Sequence, residues 1–270
     1  MALDLDGTLL RPDGSVSART RDVLRQVRAQ GVQLVFVTAR PPRSVRVLVR
    51  PLEAGGLAVC CNGALVYDLD RETVVSRRPL VAAVARELVG ALRAAAPGVC
   101  FAVEYDTGYA CEAGYAAMAP GMIGPSGISP ATMDDAQALC AIPVAKLIAR
   151  HPELGVEALL ALATGVVGER AQATHSGGPF VEVSAAGVDK AAALAVLCAE
   201  LGVEAAAVVA FGDALNDLPL LRWAGHAVAV ANAHPEVRAV ADEVAPSNQD
   251  DGVAVVLERL LAARTGLTGS

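Results

Sequence analysis

Short apolar runs that stop at a glycine or a small polar residue recur through this chain, and each has the length of a strand rather than of a helix. Ala205 to Ala210 leads into Phe211-Gly212-Asp213-Ala214-Leu215-Asn216-Asp217, and Gly31 to Val37 leads into Thr38-Ala39-Arg40-Pro41-Pro42. Such runs are the pattern of strands buried on both faces of a parallel sheet. Thr38 and Asp213 then stand just past the carboxyl ends of strands, the edge at which open α/β sheets bind ligands. Pro41 and Pro42 discourage the strand from continuing.

The chain begins with a briefer run, Met1-Ala2-Leu3, followed by Asp4-Leu5-Asp6-Gly7-Thr8. Side chains two apart in a strand share a face. Asp4 and Asp6 would therefore crowd together unless the chain bends at Gly7 or a cation sits between them. An acidic turn that closes an edge strand is the other reading. Lys190 opens a helix-like segment from Val188 to Leu201. The chain carries 20 arginines and only 2 lysines, Lys146 and Lys190. A lysine kept against that bias points to a need for a compact point charge rather than a planar fork.

Composition narrows the class. Apolar residues make up 54% and aromatics 3%, so the core must be built from Ala, Val and Leu. No uncharged apolar stretch reaches the length of a membrane span; residues 81 to 96 come nearest and are interrupted by Arg86, Glu87 and Arg93. No basic-then-apolar leader is seen, so a cytoplasmic enzyme without a membrane partner is expected. A net charge of −7 argues against nucleic acid as a partner. Arg40, Arg43, Arg46 and Arg50 recur at helical spacing and read as a solvated basic face. The six cysteines lack metal-ligand spacing and read as buried free thiols; Cys60 and Cys61 are expected on opposite faces of a strand. The four histidines have no paired spacing and are given no chemistry.

Taken in order along the chain, these motifs resemble the haloacid dehalogenase superfamily phosphatases, specifically the Cof-type (subclass IIB) group, in which a large cap is inserted between the second and third motifs. Asp4-Leu5-Asp6-Gly7-Thr8 matches the first motif, Thr38 the second, Lys190 the third, and Gly212-Asp213-Ala214-Leu215-Asn216-Asp217 the fourth. Cys61-Asn62-Gly63-Ala64, Val188-Asp189-Lys190 and Asn248-Gln249-Asp250-Asp251-Gly252 match as well. The chain departs from the pattern at Ala39, where the family commonly has Gly, and at Val230-Ala231-Asn232. Only Met1, Ala2 and Leu3 precede Asp4, so either the first strand is short or the true start lies upstream of Met1.

The resemblance implies a Mg²⁺-dependent phosphatase of small phosphorylated metabolites, with sugar phosphates the leading class. It implies Asp4 as the nucleophile and Asp6 as the proton-transferring group. Mg²⁺ would be held by Asp4, the backbone carbonyl of Asp6, and Asp213. Thr38, Lys190 and Asn216 would hold the phosphoryl oxygens, and Asp217 would support the metal or orient Lys190. A phosphomutase or other phosphotransferase would use the same residues, and a non-catalytic phosphometabolite-binding protein is the alternative outside enzymes. No sequence feature bears on oligomeric state.

The expected fold is α/β: a doubly wound, parallel-sheet (Rossmann-like) core from residues 1–80 and 183–270, with an inserted α+β cap at 81–182. In the core, helices are expected near 17–30, 41–50, 189–201 and 216–223, and strands at 31–37, 57–61, 205–211 and 226–231. In the insert, helices are expected at 80–96 and 152–163, and strands near 100–105, 109–112, 142–150, 169–175 and 179–184. A Gly/Pro/Ser-rich stretch runs from Pro120 to Pro130. Cap motion about the crossings near 80 and 183 would admit substrate. Lys146 is expected to be solvated, and Glu104, Tyr109 and Glu112 to be exposed on a sheet, with a role toward the site as the alternative. Glu182 is divided between a structural contact and a site role.

Overall fold

The computed structural model describes residues 1–53, 55–106, 108–118 and 132–267. The Gly/Pro/Ser-rich stretch expected at 120–130 lies outside them. The chain divides into two compact units: Met1–Val75 with Lys190–Ser270, and Ser76–Asp189. The crossings thus fall at 75/76 and 189/190, against the 80/81 and 182/183 expected. Among the described residues no helix is long and apolar enough to cross a membrane.

The first unit starts with β1 (Ala2–Leu3), α1 (Ala18–Ala29), β2 (Val35–Val37), α2 (Pro42–Val49), β3 (Leu57–Cys60), β4 (Leu65–Asp68) and β5 (Thr73–Arg77). Helix α1 begins where the Ser17 side chain accepts from the Thr20 N–H, satisfying a donor the helix cannot pair internally. It buries Val23, Leu24 and Val27, the spacing of one helical face. Pro42 opens α2, where a missing N–H costs nothing.

The second unit carries α3 (Ala82–Ala95), β6 (Cys100–Glu104), β7 (Tyr109–Cys111), α4 (Ala113–Met118), β8 (Thr132–Met133), α5 (Ala136–Leu139), β9 (Lys146–Arg150), α6 (Val156–Val167), β10 (Ala171–Thr174) and β11 (Val181–Ala185). Its six-stranded sheet has the order β10-β11-β9-β6-β7-β8. Phe101, Val103, Leu147, Ala149, Val181 and Val183 pack in one apolar cluster with Leu88, Leu92, Leu159 and Ala163 of α3 and α6. Ala102, Ile148, Tyr109, Cys111 and Tyr115 form a second cluster. The alternation along β6 and β9 assigns the two clusters to opposite faces of the sheet.

The chain then returns through α7 (Lys190–Glu200), β12 (Val209–Gly212), α8 (Leu218–Trp223), β13 (His226–Val230), α9 (Pro235–Val240), β14 (Glu243–Ala245) and α10 (Gly252–Leu267). The first unit's sheet has eight strands in the order β14-β13-β12-β1-β2-β3-β4-β5. From β14 to β3 every neighbouring pair is parallel, and β4 runs antiparallel to β3. Strand β1 is only two residues long, yet it is central: Leu3 is in register with Phe36 on one side and Phe211 on the other. The chain order reverses direction there, which makes β1 the switch point of the sheet.

Several expectations change. Ala205–Ala207 is a 3₁₀ turn and the strand begins at Val209. Cys61 is not in a strand; Cys61 and Asn62 have φ of 51° and 54°. Lys146 is buried at 4% exposure and ion-paired with the fully buried Glu182, because β9 lies inside the sheet between β6 and β11. Glu104 and Tyr109 are buried too. Glu112 pairs with Arg93 and accepts the N–H groups of Phe101 and Ala136, so it ties β6 to the start of α5. Of the presumed basic face, Arg46 pairs with Glu72 at the surface, while Arg40 is committed to Asp6.

Candidate active site

Three adjacent strands of the first sheet deliver polar residues to one edge. Asp4 follows β1, Thr38 follows β2, and Asp213 follows β12. The N–H of Asp4 donates to the Phe211 carbonyl at 3.1 Å, extending the β1–β12 ladder to the aspartate itself. Gly7 then turns the chain with φ +78°. A Cβ there would lie 2.3 Å from Asp213 Oδ2, so both the backbone angle and the close approach require glycine. At Gly212, on the other aspartate loop, the close approach alone requires glycine: a Cβ would meet the Asp217 Cβ at 2.6 Å.

The carboxylates of Asp4, Asp213 and Asp217 converge, each offering an oxygen within 4.8 Å of the others. Lys190, the first residue of α7 and 1% exposed, donates from Nζ to Asp4 Oδ1 and to Asp217 Oδ1, both at 2.6 Å. Asp217 Oδ2 accepts the N–H groups of Asp213 and Ala214 at 3.1 and 3.0 Å. Thr8 Oγ1 donates to Asp213 Oδ1 at 2.7 Å. Asp217 is therefore fully engaged with protein donors. Asp4 and Asp213 each have one oxygen outside these bonds.

Two buried carboxylates, Asp4 and Asp217, and the half-buried Asp213 share a single ammonium. Burial, followed by the charge of Asp217, pushes Asp4 well above the ordinary carboxylate range, against the pull of Lys190. Asp213 is pushed up to about 6, by burial above all, with the Thr8 hydrogen bond opposing it. Burial works against the charge on Lys190, but Asp217 and Asp4 outweigh it and raise its pKa. A hard, all-oxygen donor set with surplus negative charge suits Mg²⁺, which prefers carboxylate and water oxygens. The converging carboxylates are those of Asp4, Asp213 and Asp217; Asp4 and Asp213 are the two whose side chains the expected ligand set contains.

The other expected residues stand around this centre. Thr38 is 1% exposed, and its hydroxyl accepts the Arg40 N–H at 3.1 Å. Asn216 donates from Nδ2 to Asn62 Oδ1 at 3.0 Å. Its own Oδ1 is buried with no hydrogen-bond partner among the described residues. Asp6 is not one of the converging carboxylates; it forms a two-pronged ion pair with Arg40.

Sequence reasoning assigned no site role to Thr8, Asn62, Arg40, Asn232 or Asn248. Asn232 Nδ2 donates to the Gly7 carbonyl at 2.7 Å, and its Oδ1 accepts the Asn248 N–H at 2.9 Å. Asn248 Nδ2 in turn reaches the Leu10 carbonyl at 2.7 Å. These asparagines fix the backbone of the first aspartate loop from both sides. Their signal was the tail segment beginning at Asn248, which matched the family without a stated purpose.

Comparison with known proteins agrees with this geometry. A family model described as haloacid dehalogenase-like hydrolase matches residues 1–257. The chain is 29% identical over 275 residues to the putative phosphatase YxeH of Bacillus subtilis, covering 98% of each chain. It is 30% identical over 274 residues to the pyridoxal phosphate phosphatase YbhA of Escherichia coli, covering 94% of this chain and 95% of that one. The solved structure of BT1666 from Bacteroides thetaiotaomicron, a phosphatase of the haloalkanoate dehalogenase superfamily, superposes with a TM-score of 0.80 at 25% identity, over 96% and 93% of the two chains. The match along nearly the whole sequence, with the aspartates and the lysine gathered at one sheet edge, places this chain in the haloacid dehalogenase-like hydrolase family, in its Cof-type branch.

Proposed function

We propose that this protein is a Mg²⁺-dependent phosphatase of small phosphomonoesters, sugar phosphates among them, working through an aspartyl-phosphate on Asp4. The observation that carries this reading is the convergence of the Asp4, Asp213 and Asp217 carboxylates past the carboxyl ends of adjacent strands, with Lys190 bonded to Asp4 and Asp217. A phosphate dianion is repelled by carboxylates, and a divalent cation bound by Asp4 and Asp213 would neutralise that repulsion.

In this reading Asp4 attacks phosphorus. The bond from phosphorus to the leaving oxygen breaks as the bond to an Asp4 oxygen forms, and Asp6 gives the leaving oxygen its proton. Water then attacks phosphorus as the bond from phosphorus to the Asp4 oxygen breaks, and its proton passes to Asp6; inorganic phosphate departs, Asp4 is again a carboxylate and Asp6 again carries the proton with which it began the cycle. Lys190 holds Asp4 in line and supplies positive charge beside the transferring group. The Thr38 hydroxyl and the second Asn216 amide proton are donors for the phosphoryl oxygens, on which charge redistributes during transfer.

The test is phosphate release from a panel of sugar phosphates, pyridoxal phosphate, nucleotides and phosphoglycolate, with Mg²⁺ and with a chelator. Release without any acceptor, abolished by the chelator, is the expected result; Asp4→Asn should lower turnover by several orders of magnitude, on the order of 10⁴ or more. A variant that kept a tenth of the wild-type rate would remove Asp4 as the nucleophile. Turnover only when an acceptor hydroxyl is supplied would identify a phosphotransferase.

A further inference from the structure

The Asp6 carboxylate takes no part in the cluster of Asp4, Asp213 and Asp217. Both of its oxygens accept from one guanidinium: Arg40 Nε to Oδ2 and Arg40 Nη2 to Oδ1, each at 2.6 Å. Two parallel N–H···O bonds from a planar fork fix the plane of a carboxylate as well as its position. A single contact would leave it free to pivot.

Arg40 is itself held at the backbone. Its N–H donates to Thr38 Oγ1 at 3.1 Å, and its carbonyl accepts the Cys61 N–H at 3.0 Å. The guanidinium therefore springs from a segment tied both to the end of β2 and to the left-handed turn at Cys61–Asn62. The two side chains are 39% and 44% exposed. An ion pair this open to solvent contributes little to folding stability, so stabilising the fold does not account for so specific an arrangement. A carboxylate offers about four lone-pair sites and the fork uses two of them. The other two are not taken up by the fork.

We propose that Arg40 is a positioning residue for the proposed reaction: its fork holds the Asp6 carboxylate in the orientation from which Asp6 serves the leaving oxygen and then the attacking water. This rests on the reading of Asp6 as the proton-transferring group. The chain's preference for arginine is put to use here, because a lysine ammonium offers a point contact and cannot fix a plane.

The test compares kcat/KM for a primary alkyl phosphate, whose leaving oxygen needs a proton, with kcat/KM for p-nitrophenyl phosphate, whose phenolate leaves without one. Arg40→Ala should cost about 10²-fold on the alkyl phosphate, the scale of a misplaced catalytic group. On p-nitrophenyl phosphate the loss should stay below about 10-fold, since protonation contributes little to that departure. Arg40→Lys should recover only part of the alkyl activity, and thermal melts of both variants should match the wild type. In an Asp6→Asn background, Arg40→Ala should cost nothing further.

Equal losses on the two substrates would overturn the proposal in favour of a structural role. Losses that multiply in the Asp6→Asn background would overturn it in favour of direct contact between Arg40 and substrate. The Asp6→Asn variant alone separates this from the parent reading: if it turns over the alkyl phosphate at the wild-type rate, the assignment of Asp6 fails and the positioning role fails with it.

Discussion

The two lysines of this chain lie in different units, and both are buried among carboxylates. Lys190, in the first unit, bonds Asp4 and Asp217. Lys146, in the second, pairs with Glu182 and lies directly across the β6–β9 register from Glu104. Their positions in the secondary structure differ. Lys190 starts a helix beside the ends of strands, and its partners come from loops that Gly7 and Gly212 allow to approach closely. Lys146 starts an interior strand, and its partner comes from the neighbouring strand β11 of the same sheet. In the first unit a third carboxylate, Asp213, joins the cluster, so negative charge is in surplus where the chain can still admit a cation. A buried ion pair rarely stabilises a fold over apolar residues of the same size. Chemistry therefore explains the Lys190 cluster better than stability does, whereas the Lys146 pair has to be judged by what its loss does to the insert.

The largest effect should follow from breaking the Lys146 pair. Lys146→Met takes the ammonium away from the buried Glu182 carboxylate, at a cost of about 3–5 kcal/mol, readable in urea unfolding. Replacing both residues, Lys146→Met with Glu182→Leu, should restore most of it. A neutral single substitution would remove the parallel between the two lysines.

Next in size is the conservative exchange at the other lysine. Lys190→Arg keeps the charge, but its longer planar fork cannot occupy the point between Asp4 Oδ1 and Asp217 Oδ1. Turnover should fall by about 10²–10³-fold, the scale of a lost transition-state donor. A near-normal rate would mean that this site needs only positive charge and that the contrast between Lys and Arg carries no chemical meaning here.

A smaller effect concerns pH. Asp213 holds its proton up to about 6 in the folded chain, above the ordinary aspartate value of about 4 in an unfolded chain. The folded state is therefore favoured at low pH, and that advantage is lost as pH rises through about 6. A cation that takes the place of the proton should restore it. Mg²⁺ should raise the melting temperature by a few degrees more at pH 7.5 than at pH 5, on the order expected for ligand linkage. A pH-independent shift would place the cation away from Asp213.

The first sheet was legible because parallel strands are buried on both faces and read as plain apolar runs; 35–37, 57–60 and 226–230 all fall within expected strands. The run of alanines at 205–207 was misread, since a short apolar stretch does not distinguish a strand from a tight helical turn. Strand β14 was missed: its three residues, Glu243–Ala245, include an intermediate and an exposed position. The aspartates were legible because each follows a run that stops abruptly. The contacts that orient them were not, because Thr8 and Asp213 are 205 residues apart and Arg40 lies 34 residues from Asp6. The burial of Lys146 was equally hidden, since it depends on which strands become neighbours.

The central claim is that Asp4, Asp213 and Lys190 form a cation-dependent phosphoryl site in which Asp6 has a separate task. Calorimetric titration of Mg²⁺ into the wild type, Asp213→Asn and Asp6→Asn tests it most directly. The account predicts one Mg²⁺ per wild-type chain, loss of measurable binding in Asp213→Asn, and nearly unchanged binding in Asp6→Asn, whose side chain belongs to Arg40. Loss of affinity in Asp6→Asn as severe as in Asp213→Asn, or undiminished binding in Asp213→Asn, would contradict it.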